Sequence, residues 1–189
     1  MQQQDIKYSV DFPWSFSEGL HRVDEERTRM DIIGRYKIAA PRQGVWEGLN
    51  DPEILRQAIP GCQDLTQNDD GGFDAAVKLK IGPVSALFKG AVALENRNPP
   101  ESYTLRGEGK GGVAGFGKGT AEVLLEEADG GAATILSYNA NAQVGGKLAQ
   151  IGSRLIRGTV SRLTAEFFVR FAEALGAEAA EMPVQGEQR

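Results

Sequence analysis

The sequence predicts an α+β domain in which one curved antiparallel sheet surrounds a single long C-terminal helix. Three observations carry that prediction. Polar and apolar residues alternate with period two in successive runs between residues 31 and 144, turn-forming segments separate those runs, and the period changes to about 3.6 after Gly145-Gly146. A sheet with one apolar face and a lone amphipathic helix bury the most surface when the sheet curls around the helix.

From Asp31 to Ala39, Ile32, Gly34, Tyr36 and Ile38 alternate with Asp31, Arg35 and Lys37, as in a half-buried strand. Pro41 suits the first turn of a helix over Arg42 to Leu49. Asp51-Pro52 then supplies a cap and an N1 proline for a second short helix, Glu53 to Ile59, which Pro60-Gly61 ends. Six strand-length segments follow: Cys62 to Gln67, Phe73 to Ile81, Val84 to Glu95, Ser102 to Glu108, Gly117 to Glu127 and Ala133 to Val144. Asn68 to Gly72 and Asp129-Gly130-Gly131 are hairpin turns, so the strands form an antiparallel meander. The inward faces read Phe73, Ala75, Val77, Leu79, Ile81 in one strand, Val84, Ala86, Phe88, Gly90, Val92, Leu94 in the next, and Thr134, Leu136, Tyr138, Ala140, Ala142 in the last.

Beyond Gly146, Leu148, Ile151, Leu155, Thr159, Leu163, Phe167, Phe171 and Leu175 form one stripe along a helix of about 30 residues, about 45 Å long, ended by Gly176. The expected order is therefore β-αα-β6-α with seven strands, over residues 30–176. Residues 1–29 show no sustained period and read as a weakly ordered extension, and residues 177–189 as a flexible, solvated tail.

A formal charge of −5 speaks against a nucleic-acid partner. With one cysteine, Cys62, and one histidine, His21, neither an internal disulfide nor a Cys/His metal site is expected. No run approaches the roughly 20 apolar residues of a membrane span, and no secretory leader is legible. The chain reads as cytoplasmic, at most peripheral at the inner membrane face.

Gly107, Gly109, Gly117, Gly119 and Ala121 are small residues at inward positions of neighbouring strands. They either leave a cavity or permit strong curvature, and the residues alone leave both readings open. A void of that kind left unfilled would cost roughly 24 cal/mol per Å3. Gly107-Glu108-Gly109-Lys110-Gly111-Gly112 matches a dinucleotide fingerprint, and Gly112 to Lys118 approaches a phosphate loop. Each needs a helix next, and Gly119 to Leu125 alternates as a strand. Cys62 lacks a nearby base and reads as a small apolar residue, and the carboxylates are scattered, so no catalytic constellation is expected. Lys147, Arg154, Arg157 and Arg162 form a basic run for an acidic partner or anionic lipid, or an ordinary solvated face. Val113-Ala114-Gly115-Phe116 is an apolar tip between glycines, readable as a lid, a membrane-touching finger or a plain hairpin.

Several stretches together resemble the CoxG family, named for the G subunit of carbon monoxide dehydrogenase. These are Met30-Asp31-Ile32-Ile33-Gly34, Ala40-Pro41, Val45-Trp46, Leu49-Asn50-Asp51-Pro52-Glu53, Ile59-Pro60-Gly61-Cys62 and Gly145-Gly146-Lys147-Leu148-Ala149-Gln150-Ile151-Gly152-Ser153-Arg154. The family belongs to the START-like (SRPBCC) superfamily, which includes polyketide cyclases. The resemblance implies a helix-grip fold and a non-catalytic accessory of a molybdenum hydroxylase of the aerobic carbon monoxide dehydrogenase type. It also implies attachment at the inner membrane face and handling of a quinone acceptor, so the expected ligand is a quinone or another lipid. An enzyme of the cyclase or hydrolase kind and a structural adaptor with a filled core are the alternatives. The expected cavity wall is Trp46, Ile59, Val77, Leu79, Phe88, Tyr103, Phe116, Tyr138, Leu148, Ile151 and Leu155, with Tyr138 as hydrogen-bond donor.

Overall fold

The computed structural model describes residues 28–184. Strand β1 (Thr28–Ile38) alternates from Met30 onward, with Met30, Gly34, Tyr36 and Ile38 buried. It begins two residues before the expected boundary, and the rest of the N-terminal extension lies outside the described residues. Two short helices follow, α1 (Arg42–Gly48) and α2 (Pro52–Ala58). The Asp51 carboxylate caps α2, accepting from the Glu53 amide at 2.8 Å and the Ile54 amide at 3.4 Å. The Arg56 guanidinium then donates to the Leu65 carbonyl at 2.8 Å, tying α2 to the next strand.

The meander runs β2 (Cys62–Gln67), β3 (Phe73–Ile81), β4 (Val84–Asn98), β5 (Ser102–Lys110), β6 (Phe116–Ala128) and β7 (Ala133–Gly145). All pairings are antiparallel. The sheet order is β2-β3-β4-β5-β6-β7-β1-β8, so β1 closes the far side against β7. The expected helix-grip arrangement is found, with eight strands rather than seven. The extra strand, β8 (Ala179–Glu181), falls in the tail expected to be flexible and pairs with Tyr36 to Ile38. Its reason is the open edge of β1: the Ala39 amide donates to the Glu178 carbonyl and the Met182 amide to the Arg35 carbonyl, satisfying groups an edge strand leaves unpaired.

The long helix is also divided. A single turn, α3 (Lys147–Gln150), precedes α4 (Ser153–Ala174), which has 22 residues and spans about 33 Å. Gly152 separates them at φ 93°, a left-handed conformation that ends one helix and re-aims the next. The stripe expected from a continuous helix therefore loses phase at its start: Ile156 is buried, whereas Leu155 is 55% exposed.

The core lies at the C-terminal end of α4. Phe168, Phe171 and Ala172 pack with Tyr36, Ile38, Leu125 and Leu136 of the sheet and with Val45 and Trp46 of α1. The Tyr36 and Phe168 rings stack with centroids 3.9 Å apart. Thr134 is fully buried and donates its hydroxyl to the Ala40 carbonyl at 2.7 Å, so the buried polar group is satisfied. Phe171 is the largest wholly buried side chain at this junction. Phe171→Ala is expected to lower stability by about 3–5 kcal/mol, read as a fall in the urea unfolding midpoint at unchanged slope.

Candidate functional site

Away from that core, the sheet and helix separate. The inner faces of β3 and β4, from Val77 to Leu79 and Val84 to Val92, are half-buried rather than buried, and so are Val160, Leu163 and Thr164 on α4. Between them lie two apolar chambers. The inner one, about 390 Å3, is walled by Leu49, Leu55, Leu94, Tyr103, Leu105 and Tyr138 among others; the outer, about 430 Å3, reaches Leu79, Phe88, Val160 and Leu163. Ile59, Ala75, Val77, Val92, Thr164 and Phe167 line both, so the two form one continuous cleft. A volume of this order suits a small hydrophobic ligand.

The register shows how the sheet makes room. Gly119 lies opposite Gly107, and Gly117 opposite Gly109, which in turn opposes Gly90. These glycines do two different things. At Gly90 a Cβ would stand 2.0 Å from the Glu108 carbonyl oxygen, and at Gly119 2.5 Å from that of Asn141, so these two permit close approach of neighbouring strands. At Gly109 and Gly117 the nearest atom to such a Cβ is 3.8 Å and 3.9 Å away, and at Gly107 3.4 Å. A methyl group would fit at all three, and of them Gly109 lines the outer chamber, where its missing side chain leaves volume. Curvature and cavity, the two readings left open by the residues, both occur, at different positions.

Of the expected wall, Ile59, Val77, Leu79, Phe88, Tyr103 and Tyr138 line the cleft. The other five lie elsewhere. Trp46 is in the core, edge-on to Tyr103 at 5.4 Å. Phe116 shares the outer face of β6 with Lys118, and its ring covers Gly145. Leu148 is buried on α3, Ile151 packs on the Gly82 turn, and Leu155 is displaced by the Gly152 break. Val92, Leu94, Leu105, Leu163, Phe167 and Thr164 join the wall. The first five were on inward faces or the helical stripe, whereas Thr164 carried no signal, being a polar residue beside that stripe.

Polar atoms in the inner chamber are few: the Tyr103 and Tyr138 phenols and the Thr164 hydroxyl are the side-chain ones. Burial pushes Tyr103 far above the usual phenol value, with Arg97 opposing. Burial likewise raises Tyr138, against the Thr164 hydroxyl facing it from α4. Both phenols therefore keep their protons at neutral pH and act as donors. Cys62 sits at the edge of the Leu55, Leu65 and Phe73 cluster; burial raises its thiol despite Arg56, so it is not an activated nucleophile. Among the described residues no group of three or more His, Cys, Asp or Glu is placed to hold a metal ion. No helix in the described residues is long and apolar enough to cross a membrane.

Of the basic run, Arg157 donates to the Asp31 carbonyl at 3.2 Å and Arg162 lies 3.9 Å from Glu166, whereas Lys147 and Arg154 are exposed near the start of the helical region.

Two measurements check this site. Gly90→Ala is expected to cost about 1–3 kcal/mol in urea unfolding, because backbone must move, while Gly109→Ala stays within about 0.5 kcal/mol of the parent. The second concerns alkaline pH. Tyr36, stacked at the core end, is pushed up from 10.0 to about 12, chiefly by burial, with Glu181 and Tyr138 adding to the rise. Between those values the unfolded chain has lost a proton that the folded one keeps, so stability declines with rising pH. The unfolding midpoint should fall progressively from pH 10 to pH 12; a constant midpoint would contradict the burial.

Comparison with known proteins agrees with this geometry. A family model described as the carbon monoxide dehydrogenase G subunit (CoxG) matches residues 34–176. A conserved protein from Geobacillus kaustophilus superposes with TM-score 0.69 at 27% identity, covering 78% of this chain and 99% of that one. The ZhuI aromatase/cyclase from Streptomyces sp. R1128 gives 0.58 at 13% identity, over 79% and 94% of the two chains. Norcoclaurine synthase from Thalictrum flavum, in complex with dopamine and hydroxybenzaldehyde, gives 0.51 at 16%, over 91% and 95%. The last two share the fold. No curated protein matches significantly.

Proposed function

Because the chain belongs to the CoxG family of carbon monoxide dehydrogenase, we propose that it is a non-catalytic carrier. It holds a quinone or similar uncharged lipid in the cleft and serves a molybdenum hydroxylase of the carbon monoxide dehydrogenase type. The observation that carries this reading is the cleft itself: two joined chambers whose walls are hydrocarbon apart from a few hydroxyls. An apolar chain gains about 25 cal/mol per Å2 buried there, and the phenols of Tyr103 and Tyr138 supply donors for a carbonyl at its head.

The wall offers no cation to neutralise a carboxylate or phosphate head in the inner chamber, which supports an uncharged ligand. An enzyme in the same cleft would need an acid or base positioned on its substrate. In the inner chamber the two phenols are the titratable groups, and in the outer one the exception is Glu108, which is exposed on the opposite face of β5. That lining supports binding over turnover.

Titration with menaquinone and ubiquinone, read by intrinsic fluorescence in detergent-free buffer, tests the proposal. The parent protein should saturate, and Gly109→Leu, whose side chain enters the outer chamber, should bind at least about tenfold more weakly with its unfolding midpoint retained. Failure of the parent to take up either quinone, or equal uptake by the variant, would overturn it. Tagged protein expressed in its own host should co-purify with a molybdenum-containing hydroxylase; its absence would separate ligand carriage from the accessory role.

A further inference from the structure

Strand β1 is covered unevenly on its two sides. On one side it pairs with β7 over its whole length, from Thr28 opposite Val144 to Ile38 opposite Thr134. On the other, β8 pairs only with Tyr36 to Ile38. Successive residues of an antiparallel strand turn their backbone groups to opposite sides. The groups on the β8 side belong to odd-numbered residues: the Ala39 amide donates to the Glu178 carbonyl, the Arg35 carbonyl accepts from the Met182 amide, and the Asp31 carbonyl accepts from the Arg157 guanidinium at 3.2 Å. Among the described residues no backbone partner meets Arg29 or Ile33 on that side. An edge left in this state is a template for another strand.

The chain itself carries a matching segment. The expectation of no sustained period in residues 1–29 fails between Ile6 and Phe16. There Ile6, Tyr8, Val10, Phe12, Trp14 and Phe16 alternate with Lys7, Ser9, Asp11, Pro13 and Ser15, the pattern of a strand with one buried face. Residues 17–27 join this segment to β1, enough for an antiparallel neighbour and short of the dozen or more that a parallel crossover takes.

One proline fixes the register. Directly opposed residues project to the same face, so the even-numbered apolar positions of the segment must face even-numbered residues of β1, of which Met30 and Gly34 are buried. Odd residues then face odd ones, and the ladder bonds form between them. Pro13 has no amide hydrogen to donate. Opposite Arg29 or Ile33 it would leave a carbonyl unmet, whereas the Asp31 carbonyl already has a donor in Arg157. Pro13 opposite Asp31 sets Phe16 against Thr28, Trp14 against Met30, Phe12 against Ile32 and Val10 against Gly34. Residues 10–16 then fill the open stretch 28–34 and stop where Met182 bonds to Arg35. Asp11 falls opposite Ile33 and diagonal to Arg35, a favourable placement of charge.

We propose that residues 10–16 form a further antiparallel strand on the open edge of β1, with Pro13 opposite Asp31. Phe12, Trp14 and Phe16 extend the inner face of the sheet beside the first turns of α4, where Arg157 reaches β1. The added strand removes an edge that invites pairing with other chains. Continuing the β8 register would instead set residues 185–189 against 28–32, but Gln185, Gly186, Glu187, Gln188 and Arg189 offer no apolar face. The pairing is independent of what the cleft carries.

Disulfide trapping in the full chain, in a Cys62→Ala background, tests the register. Ile33 is 56% exposed and Arg29 is exposed, so neither cysteine disturbs the core. Asp11→Cys with Ile33→Cys should close within the monomer on mild oxidation. Asp11→Cys with Arg29→Cys, nearer in sequence but about 13 Å along β1 from the facing position, should close at least about tenfold less. Hydrogen exchange gives a second readout. The Ile33 amide should exchange slowly in the parent, and at least about tenfold faster in Phe12→Asp with Trp14→Asp, the domain still unfolding cooperatively in urea. Equal closure of the two cysteine pairs, or an Ile33 amide that exchanges freely in the parent, would overturn the proposal. So would protection that survives the double aspartate variant and is lost on deleting residues 185–189, which gives the edge to the tail. Protection that rises with protein concentration, with cysteine bridges between chains, would likewise overturn it in favour of a second copy.

Discussion

Everything in this structure depends on where the long helix is held. Phe168, Phe171 and Ala172 pin the last turns of α4 into the sheet and against α1, and Tyr36 stacks on Phe168 to close that end. The first half of the helix has no equivalent anchor. Ile156 is buried, but Val160, Leu163 and Thr164 are only half-covered, so helix and sheet diverge from a common hinge of aromatic packing. A packed core and an open cleft are thus two ends of one contact, and close packing at the first permits separation at the second.

The glycines set the depth of that separation. A strand that must bend around a helix needs its neighbours close, and Gly90 and Gly119 allow their backbones an approach that a methyl group would block. Gly109 contributes by subtraction, since it lines the outer chamber and a Cβ there would meet its nearest neighbour only at 3.8 Å. The hydroxyls of Tyr103, Tyr138 and Thr164 are the polar side-chain atoms of the inner chamber, so its lining is apolar and carries no formal charge.

The edges follow from the same geometry. The meander ends on β7, β1 pairs against it, and the far side of β1 becomes an edge that β8 covers only at Tyr36 to Ile38.

Much of this was legible in the residues. The period-two runs located β2 to β7, Asp51-Pro52 marked the start of α2, and the alternation of Phe73 to Ile81 and Thr134 to Ala142 assigned their inner faces, because side-chain direction in a strand is a local property. Five cleft residues, Val77, Leu79, Phe88, Tyr103 and Tyr138, followed from strand alternation, whereas Ile59 stands at the end of α2. Positions such as Phe116, Leu148 and Leu155 did not, since a strand's first residue and a helix broken at Gly152 each shift the face by one step. Strand β8 arose from the unpaired edge of β1 rather than from any pattern in the tail. By itself, then, the sequence determined β1 to β7, the two short helices, their order and the family, but neither β8 nor the break at Gly152. Tertiary structure alone decided which glycines bend the sheet and which one opens it, and which stretch of β1 is left uncovered, because both depend on how strands lie beside one another, which no local pattern encodes.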